Sequence, residues 1–336
     1  MGEDGASPSP QILEVSVRLR PLATLSIAAA AVVLLAGCSG AGGAPADSAS
    51  PSASAAGDLC AAAAPSGAAS DAVTVDGAPG TESTAGFTFP LDIPELQRTV
   101  VSEGSGDPVQ SGQLISYALS AFNADTGEKL GAVGYAESEI LPAPITADSP
   151  LGQVIGCATP GSRVVATFPA SENGPGEVYV FDFLEIVPDA AWGEPQTPEA
   201  GLPTVTLADD GTPTIEVPKT DPPTSTEVST LKKGDGAVVE SGDQVLIQFR
   251  GARWSSGELF DGGDTWASGT PYTGATTGFV PGFTKALEGQ TVGSQVLVVI
   301  TPADGYGEGE INDTDLKGDT LVFVIDILGA QHPQAQ

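Results

Sequence analysis

The side chains that most often carry covalent or acid–base chemistry are scarce in this chain. Its 336 residues include a single histidine, His332, and three cysteines, Cys38, Cys60 and Cys157, none of them in a CxxC pair. A histidine triad, a histidine-rich metal site, a histidine pH switch and a structural zinc site are therefore not expected, and neither metal nor cofactor is called for. What remains is an ordered set of aromatics around one carboxylate. Phe260-Asp261 comes first, then Phe279-Val280-Pro281-Gly282-Phe283, then Tyr306-Gly307, then Leu321-Val322-Phe323. The stretch FVPGFTKALEGQTVGSQV (279–296) holds one carboxylate and no His or Cys. Taken singly, each residue has a plain explanation: Phe283 or Phe323 as core, Asp261 as a turn residue. Only the order of the set asks for more.

Composition narrows the classes. The chain carries 12 basic against 43 acidic residues, a net charge of −31, which argues against nucleic acid as a partner. Gly (43) and Pro (28) are abundant, so turns and short elements are expected rather than long helices.

The N-terminal part reads as an address. Arg18 and Arg20 precede an apolar run over residues 22–36, short for a membrane span and of signal-peptide length. The run ends in LAGCSG (35–40), which resembles the lipobox of bacterial lipoproteins, in which the Cys becomes the acylated first residue of the mature chain. That resemblance implies a signal peptide over 1–37, lipidation at Cys38 and a membrane anchor on the outer face of the cell. A plain secretory signal with a chance Cys is the alternative. Signal peptides normally start basic, and Glu3 and Asp4 follow Met1 closely, so translation is expected to begin at Val15 or Val17. Residues 38–57, rich in Ala, Ser, Gly and Pro, read as a disordered tether.

The elements that must position the aromatic set come in two similar runs about 130 residues apart. VVSEGSGDPVQSGQLISYALSAFNADTGEKL from Val100 parallels VSTLKKGDGAVVESGDQVLIQFRGARWSSGELF from Val228. GCATPGSRVVATFPA (156–170) parallels EGQTVGSQVLVVITPA (288–303), and each segment closes on a buried strand, EVYVFDFLEIV (177–187) and DTLVFVIDIL (319–328). Each also opens on a strand, AVTVDG from Ala72 and PTVTLADDG from Pro203. Such a period implies two copies of one domain. In the second copy Val245, Ile247 and Phe249 alternate onto one face of a strand. Only VPGFTKALEG reads as helix, with Pro281 at its first position, Gly289 at its C-terminal end, and Val280, Phe283 and Leu287 on one face. The fold class is α+β: in each domain a twisted antiparallel sheet wrapped on one short helix.

The pattern GD-V-I-FRG-----GELFD, GFVPGFTKALEGQTVGSQVLVVITPADGYG, DTLVFVIDIL resembles an FKBP-type peptidyl-prolyl cis–trans isomerase domain over residues 224–329. The first copy resembles the same framework at lower quality, and the lipobox with two copies resembles secreted lipoproteins of high-GC Gram-positive bacteria. The resemblance divides the chain into a signal (1–37), a tether (38–57), a degenerate FKBP-like domain (58–190), a linker (191–202), a catalytic domain (203–330) and a tail (331–336). It implies a prolyl ring seated in an aromatic cup. Phe283 would be the floor, with Phe249, Phe260, Tyr272, Phe279 and Phe323 as walls, and the Val280 N–H would bond a substrate carbonyl. Asp261, Tyr306 and Phe283 would be catalytic. Two departures concern the family pattern: Phe249 stands where many members have Tyr, losing a hydroxyl that could steady Asp261, and the loop GEGEINDTDLKGD after Tyr306 is acidic.

In the first copy Leu119 replaces Phe249, Leu130-Gly131 replaces Phe260-Asp261, Leu151 replaces Phe283, and only Tyr179 keeps an aromatic, at the Phe323 position. The loop that carries Tyr306 shrinks to SENGPG (171–176). This copy is expected to fold without catalysing. The resemblance implies proline-containing secreted proteins as partners, macrolide inhibitors as ligands of the same cup, and a monomer. A peptide-binding chaperone with little isomerase activity, and a scaffold lipoprotein, are the alternatives. Cys60 and Cys157 are expected to form a disulfide, since the outer face of a membrane permits one; two free thiols are the alternative.

Overall fold

The computed structural model describes residues 57–172, 174–312 and 314–333. The expected signal peptide, Cys38 and nearly all of the expected tether lie outside the described residues. None of the described helices is long and apolar enough to cross a membrane.

In chain order the elements are α1 (Leu59–Ala62), α2 (Ala68–Asp71), β1 (Thr74–Asp76), β2 (Thr84–Gly86), β3 (Gln97–Ser102), β4 (Leu114–Asn123), β5 (Lys129–Val133), β6 (Ala143–Pro144), α3 (Pro150–Ile155), β7 (Arg163–Phe168) and β8 (Glu177–Val187). They continue as β9 (Glu194–Pro195), β10 (Thr204–Leu207), β11 (Pro213–Glu216), β12 (Glu227–Lys233), β13 (Gln244–Arg253), β14 (Leu259–Asp264), β15 (Tyr272–Ala275), α4 (Pro281–Leu287), β16 (Gln295–Ile300) and β17 (Leu321–Gln331).

The two large sheets have one strand order. The first runs β3-β7-β8-β4-β5 with β6 on β4; the second, read from its other edge, runs β9-β12-β16-β17-β13-β14 with β15 on β13. All pairs are antiparallel, and the bulges recur in place. β3 shifts register against β7 between Val100 and Ser102; β12 shifts against β16 between Thr230 and Lys232. The extra strand β9 falls within residues 191–202, expected as a linker. Its Glu194 and Pro195 pair with Lys233 and Lys232.

Alternation along the central strands explains their unbroken apolar runs. In β17, Leu321, Phe323, Ile325 and Ile327 pack toward α4 with Val296, Val298 and Ile300 of β16. The intervening Val322 and Val324 pack on the opposite face with Leu297, Val299 and the β10–β11 hairpin residues Val205 and Ile215. The first sheet repeats the arrangement. Val164, Ala166, Phe181 and Phe183 face α3, while Val165, Val178 and Val180 face Val75 and Ala85 of the β1–β2 hairpin. A strand buried on both faces must be apolar throughout, as these are.

The α4 helix begins at Pro281 and ends at Leu287, with Val280 as its N-cap. Proline suits this first position because its missing N–H would have no partner there. One expectation needs correcting: the first unit has two further one-turn helices besides α3. α1 is capped by Asp58, which accepts from the N–H groups of Cys60 and Ala61, and Cys60 is disulfide-bonded to Cys157. At α2 the buried Gln97 accepts from the Ala69 N–H at 2.9 Å. Both short turns are fixed by tertiary bonds that helix propensity does not register. The bridge closes a separation of 97 residues, which in the chain-entropy model stabilises by about 4–5 kcal/mol.

One position distinguishes the two sheets. Arg163 of β7 pairs with Asp182 of β8, and at the matching place Gln295 pairs with Asp326. Arg163 and Asp182 are 2% and 1% exposed and joined twice, Nε–Oδ1 at 2.6 Å and Nη2–Oδ2 at 2.7 Å. The guanidinium also donates to the carbonyls of Gly77, Ala78 and Thr81, tying down the β1–β2 turn. In the second sheet Asp326 accepts from the Gln295 amide at 2.8 Å and the Ala191 N–H at 2.8 Å. Burial pushes the Asp326 carboxyl above the usual range.

Removing one partner of a buried ion pair strands the other charge at about 3–5 kcal/mol, whereas removing a carboxylate from neutral donors costs about 1–3 kcal/mol. Urea unfolding of Asp182→Ala and Asp326→Ala should therefore show the larger loss in Asp182→Ala; equal losses would mean that the charge on Arg163 does not matter.

The lone histidine is engaged. His332 Nδ1 lies 2.9 Å from Asp243 Oδ1, and its backbone N–H donates to the Ser138 carbonyl. The Asp243 hydrogen bond raises the imidazole pKa, with Glu240 and Glu137 adding smaller attractions. A raised folded-state value means the stabilisation is complete below the unfolded pKa of about 6.5 and is lost as pH rises through the folded value. His332→Gln should thus melt below the parent at pH 5 and level with it at pH 9. The gap will be small because the ring is partly exposed; a gap that widens with pH contradicts the assignment.

Candidate active site

The ordered aromatic set converges on the α4 face of the second sheet. Phe283 is its hub. Its ring stacks on Phe279 at 4.8 Å and meets Phe323 and Phe249 edge-on at 5.1 and 5.7 Å. Phe249 reaches Phe323 at 6.2 Å and Tyr272 at 6.2 Å, Tyr272 reaches Phe279 at 5.9 Å, and Phe260 reaches Phe323 at 5.6 Å. Edge-to-face geometry suits ring quadrupoles and keeps the rings from collapsing into a flat stack. Phe283 is buried; Phe249, Phe260 and Phe279 are half-buried; Tyr272 and Tyr306 are exposed. The gradient runs from a sealed floor to an open rim.

Local sequence explains how each ring gets there. On β13, Phe249 pairs with Ile325 and Gly251 with Phe323. A Cβ on Gly251 would lie 2.7 Å from the Phe323 ring and 2.8 Å from the Phe260 ring, so the two rings meet over bare backbone. Phe260 arrives by a bulge. Arg250 pairs with Asp264 and Ala252 with Leu259, so residues 260–263 leave the ladder opposite Gly251. Arg250 and Asp264 close the base of that bulge by an ion pair at 2.9 Å. A Cβ on Gly282 would come within 2.5 Å of the Ile300 side chain; bare backbone there lets α4 press onto β16 and seat Phe283.

Two expected residues are placed differently from the rest. Asp261, in the bulge, is exposed and makes no hydrogen bond among the described residues. It lines a shallow groove of about 440 Å³ with Phe260, Arg253 and Leu316, beside the cup. With Phe249 in place of a tyrosine, no hydroxyl reaches it. Tyr306 follows the 3₁₀ turn Pro302–Asp304, with its hydroxyl unpaired among the described residues. Lys285 of α4 bonds Asp304 at 2.7 Å and lowers the pKa of that carboxyl, tying the helix to the turn below Tyr306. The Val280 N–H is likewise unpaired, while the Val280 carbonyl accepts from Phe283 and Thr284.

Sequence reasoning missed the support of the acidic loop. Arg253 donates to the carbonyls of Asn312 (3.0 Å) and Asp315 (2.7 Å) and approaches Asp319 at 3.5 Å, while Leu316 packs against the core that holds the rings. The signal was present, since Arg253 is one of only 12 basic residues in the chain, and Leu316, with Ile311, interrupts an otherwise polar run.

The arrangement has an apolar floor, aromatic walls, the Tyr272 phenol at its rim and the unpaired Val280 N–H beside it, and among the described residues no thiol or imidazole lines it. It can bind a compact apolar ring and fix the chain on either side.

The comparisons agree with that geometry. Residues 236–328 match the FKBP-type peptidyl-prolyl cis-trans isomerase family. The probable FK506-binding protein of Corynebacterium glutamicum is 31% identical over 118 residues, covering 35% of this chain and 98% of that one. The FK506-binding protein of Streptomyces anulatus is 29% identical over 119 residues, covering 34% and 94%. The trigger factor of Halothermothrix orenii is 39% identical over 100 residues, 30% of this chain and 21% of that one. With a cup built as described and a match along nearly the whole Corynebacterium protein, the chain belongs to the FKBP-type peptidyl-prolyl cis-trans isomerase family.

Proposed function

We propose that this isomerase rotates X-Pro bonds of extracytoplasmic polypeptides in the Phe249–Phe283–Phe323 cup, with Tyr306 and the Val280 N–H holding the chain at the rim. The observation that carries the reading is the packed set of rings around Phe283, sealed below and open above.

The chemistry needs no acid or base. Resonance opposes peptide rotation with a barrier of ~18–20 kcal/mol, and uncatalysed X-Pro isomerisation takes tens of seconds or longer. Reaching milliseconds needs about four decades, or ~5.5 kcal/mol. In the twisted transition state the C–N double-bond character is lost and the amide is less dipolar. An apolar cup therefore favours the twisted form over the planar one, which is differential binding of the transition state. The Val280 N–H is oriented by its position as N-cap of α4, so no reorganisation is needed when a carbonyl arrives.

The lipobox LAGCSG motivates the rest of the reading: a chain acylated at Cys38, with residues 38–57 as tether and the folded part outside the cytoplasm. The Cys60–Cys157 bridge supports it, since disulfides persist in oxidising compartments. The shared strand order supports two tandem FKBP-like domains over residues 58–190 and 203–330, the first without isomerase activity. Macrolides that mimic a prolyl ring are ligands of the same cup in this reading.

A second reading, a peptide-binding module with little turnover, draws on Asp261, which has no hydrogen-bond partner among the described residues. Proline-peptide isomerisation separates the two. Phe283→Leu, which keeps apolar volume, should lower kcat/KM at least about tenfold, because one lost contact pattern worth ~1.4 kcal/mol gives that factor. Asp261→Ala should cost less than Phe283→Leu. Background rates in the parent chain and both variants alike would sink the isomerase reading.

A further inference from the structure

The first unit has an open groove where the second has its cup. It lies between α3 and strands β4 and β8, encloses about 700 Å³, and is lined by Tyr117, Leu119, Leu151, Phe168, Tyr179 and Phe181 among others. Matching the two sheets strand for strand puts these residues in register with the cup. Leu119 pairs with Phe181 and Ala121 with Tyr179, as Phe249 pairs with Ile325 and Gly251 with Phe323. Leu151 precedes the last residue of α3, Ile155, by four, as Phe283 precedes Leu287 in α4.

The chemistry of the lining differs. The aromatic contacts run along one wall only, Phe168 to Tyr179 at 5.4 Å and Tyr179 to Phe181 at 5.7 Å. Leu151 on the floor, and Leu119 with Tyr117 on the opposite wall, leave a trough rather than a ring-sized cup. The one charged residue in the lining is Glu177. Its carboxylate accepts from the Tyr179 hydroxyl at 2.6 Å, and burial, then this bond, push the Tyr179 phenol up to about 12. The hydroxyl is thus committed to Glu177, and the remaining lone pairs of that carboxylate are the charged feature offered to a ligand. The volume falls in the range of sites that hold a short peptide segment or a drug-sized molecule.

We propose that this groove is a second, non-isomerising binding site, which takes an extended apolar segment of a client polypeptide with a Lys or Arg side chain set against Glu177. Charge complementarity commits the occupant: the lining is apolar with a single acid, and the chain's net charge of −31 draws cationic segments to it. Catalysis is absent because the leucine floor does not enclose a prolyl ring, so planar and twisted amides are held alike and uniform binding does not raise a rate. The molecule would then hold an unfolded chain at one groove while a proline is turned in the cup of the other.

The test is titration calorimetry of the full chain with two capped peptides of Leu, Ala and Pro, one bracketed by Lys and one by Glu. Leu151→Glu should remove one binding site for the Lys peptide and leave the isomerisation rate on a short substrate unchanged. Glu177→Lys, at the groove's rim, should weaken the Lys peptide at one site by about threefold, the scale of a partly exposed ion pair, and strengthen the Glu peptide. An unchanged number of sites in Leu151→Glu overturns the proposal, and so does an unchanged charge preference in Glu177→Lys. Should Leu151→Glu fail to fold, Glu177→Lys decides alone. A dimer of the free chain that Glu177→Lys dissolves, with no peptide bound, would make a second copy the occupant and also overturn it. The number of sites and the charge preference are read without an active cup, so a failed isomerase reading and a failed groove remain distinguishable.

Discussion

The second unit depends on one ring being shared between its core and its surface. Phe283 is buried among Val296, Val298, Ile325 and Leu287, and its exposed-side neighbours are the rings of Phe249, Phe279 and Phe323. A floor that is also core is rigid without any further device, because every rotamer change would open a void beneath it. The same constraint explains the two bare positions beside it. Gly282 lets the helix sit close enough for the ring to reach the sheet, and Gly251 lets two wall rings meet across the strand. Stability and ligand shape cannot be adjusted independently here: a smaller floor loosens the core, and a larger one pushes α4 off Ile300.

The first unit keeps the strand order and the bulges but resolves the same positions differently. Its helix floor is Leu151 and its wall is Leu119, so the ring-to-ring contacts that define the cup have no counterpart. It compensates in stability elsewhere. A fully buried Arg163–Asp182 pair would be costly alone, but three carbonyls of the β1–β2 turn complete the guanidinium's bonding. The disulfide adds a covalent tie between α1 and the end of α3. At the matching place the second unit has Gln295 for Arg163, so the Asp326 carboxyl is met there by an amide and by the backbone N–H of residue 191. The stretch that looked like a free linker is thereby held to the sheet.

Much of this could be read from the residues. The strands, the helix starting at Pro281, the repeat and the aromatic set all follow from short-range signals: alternation, a proline at a helix start, and ordered spacing. What escaped reading depends on partners distant in sequence. Helices α1 and α2 are held by Cys157 and Gln97 rather than by periodicity. The engagement of His332 required knowing that β17 ends beside the turn containing Asp243. The family resemblance implies a catalytic role for Asp261, and the bulge of four residues against one leaves it exposed and without a hydrogen bond among the described residues. A bulge sets direction by backbone path, which composition does not encode.

The acidic loop after Tyr306 could be expected to spoil an apolar cup, and its attachment shows why it need not. Arg253 grips the loop by the backbone carbonyls of Asn312 and Asp315 and by the last of its acids, Asp319. Asp319 is buried and also accepts from the Ser255 hydroxyl at 2.5 Å. Glu308, Glu310 and Asp315 are exposed, while Leu316 is the loop residue that turns inward onto the core. The loop therefore presents carbon to the rings and carboxylates to water. Its charge acts at long range on what approaches, screened over about 10 Å at ordinary salt, and does not change the polarity of the surface on which an amide would twist.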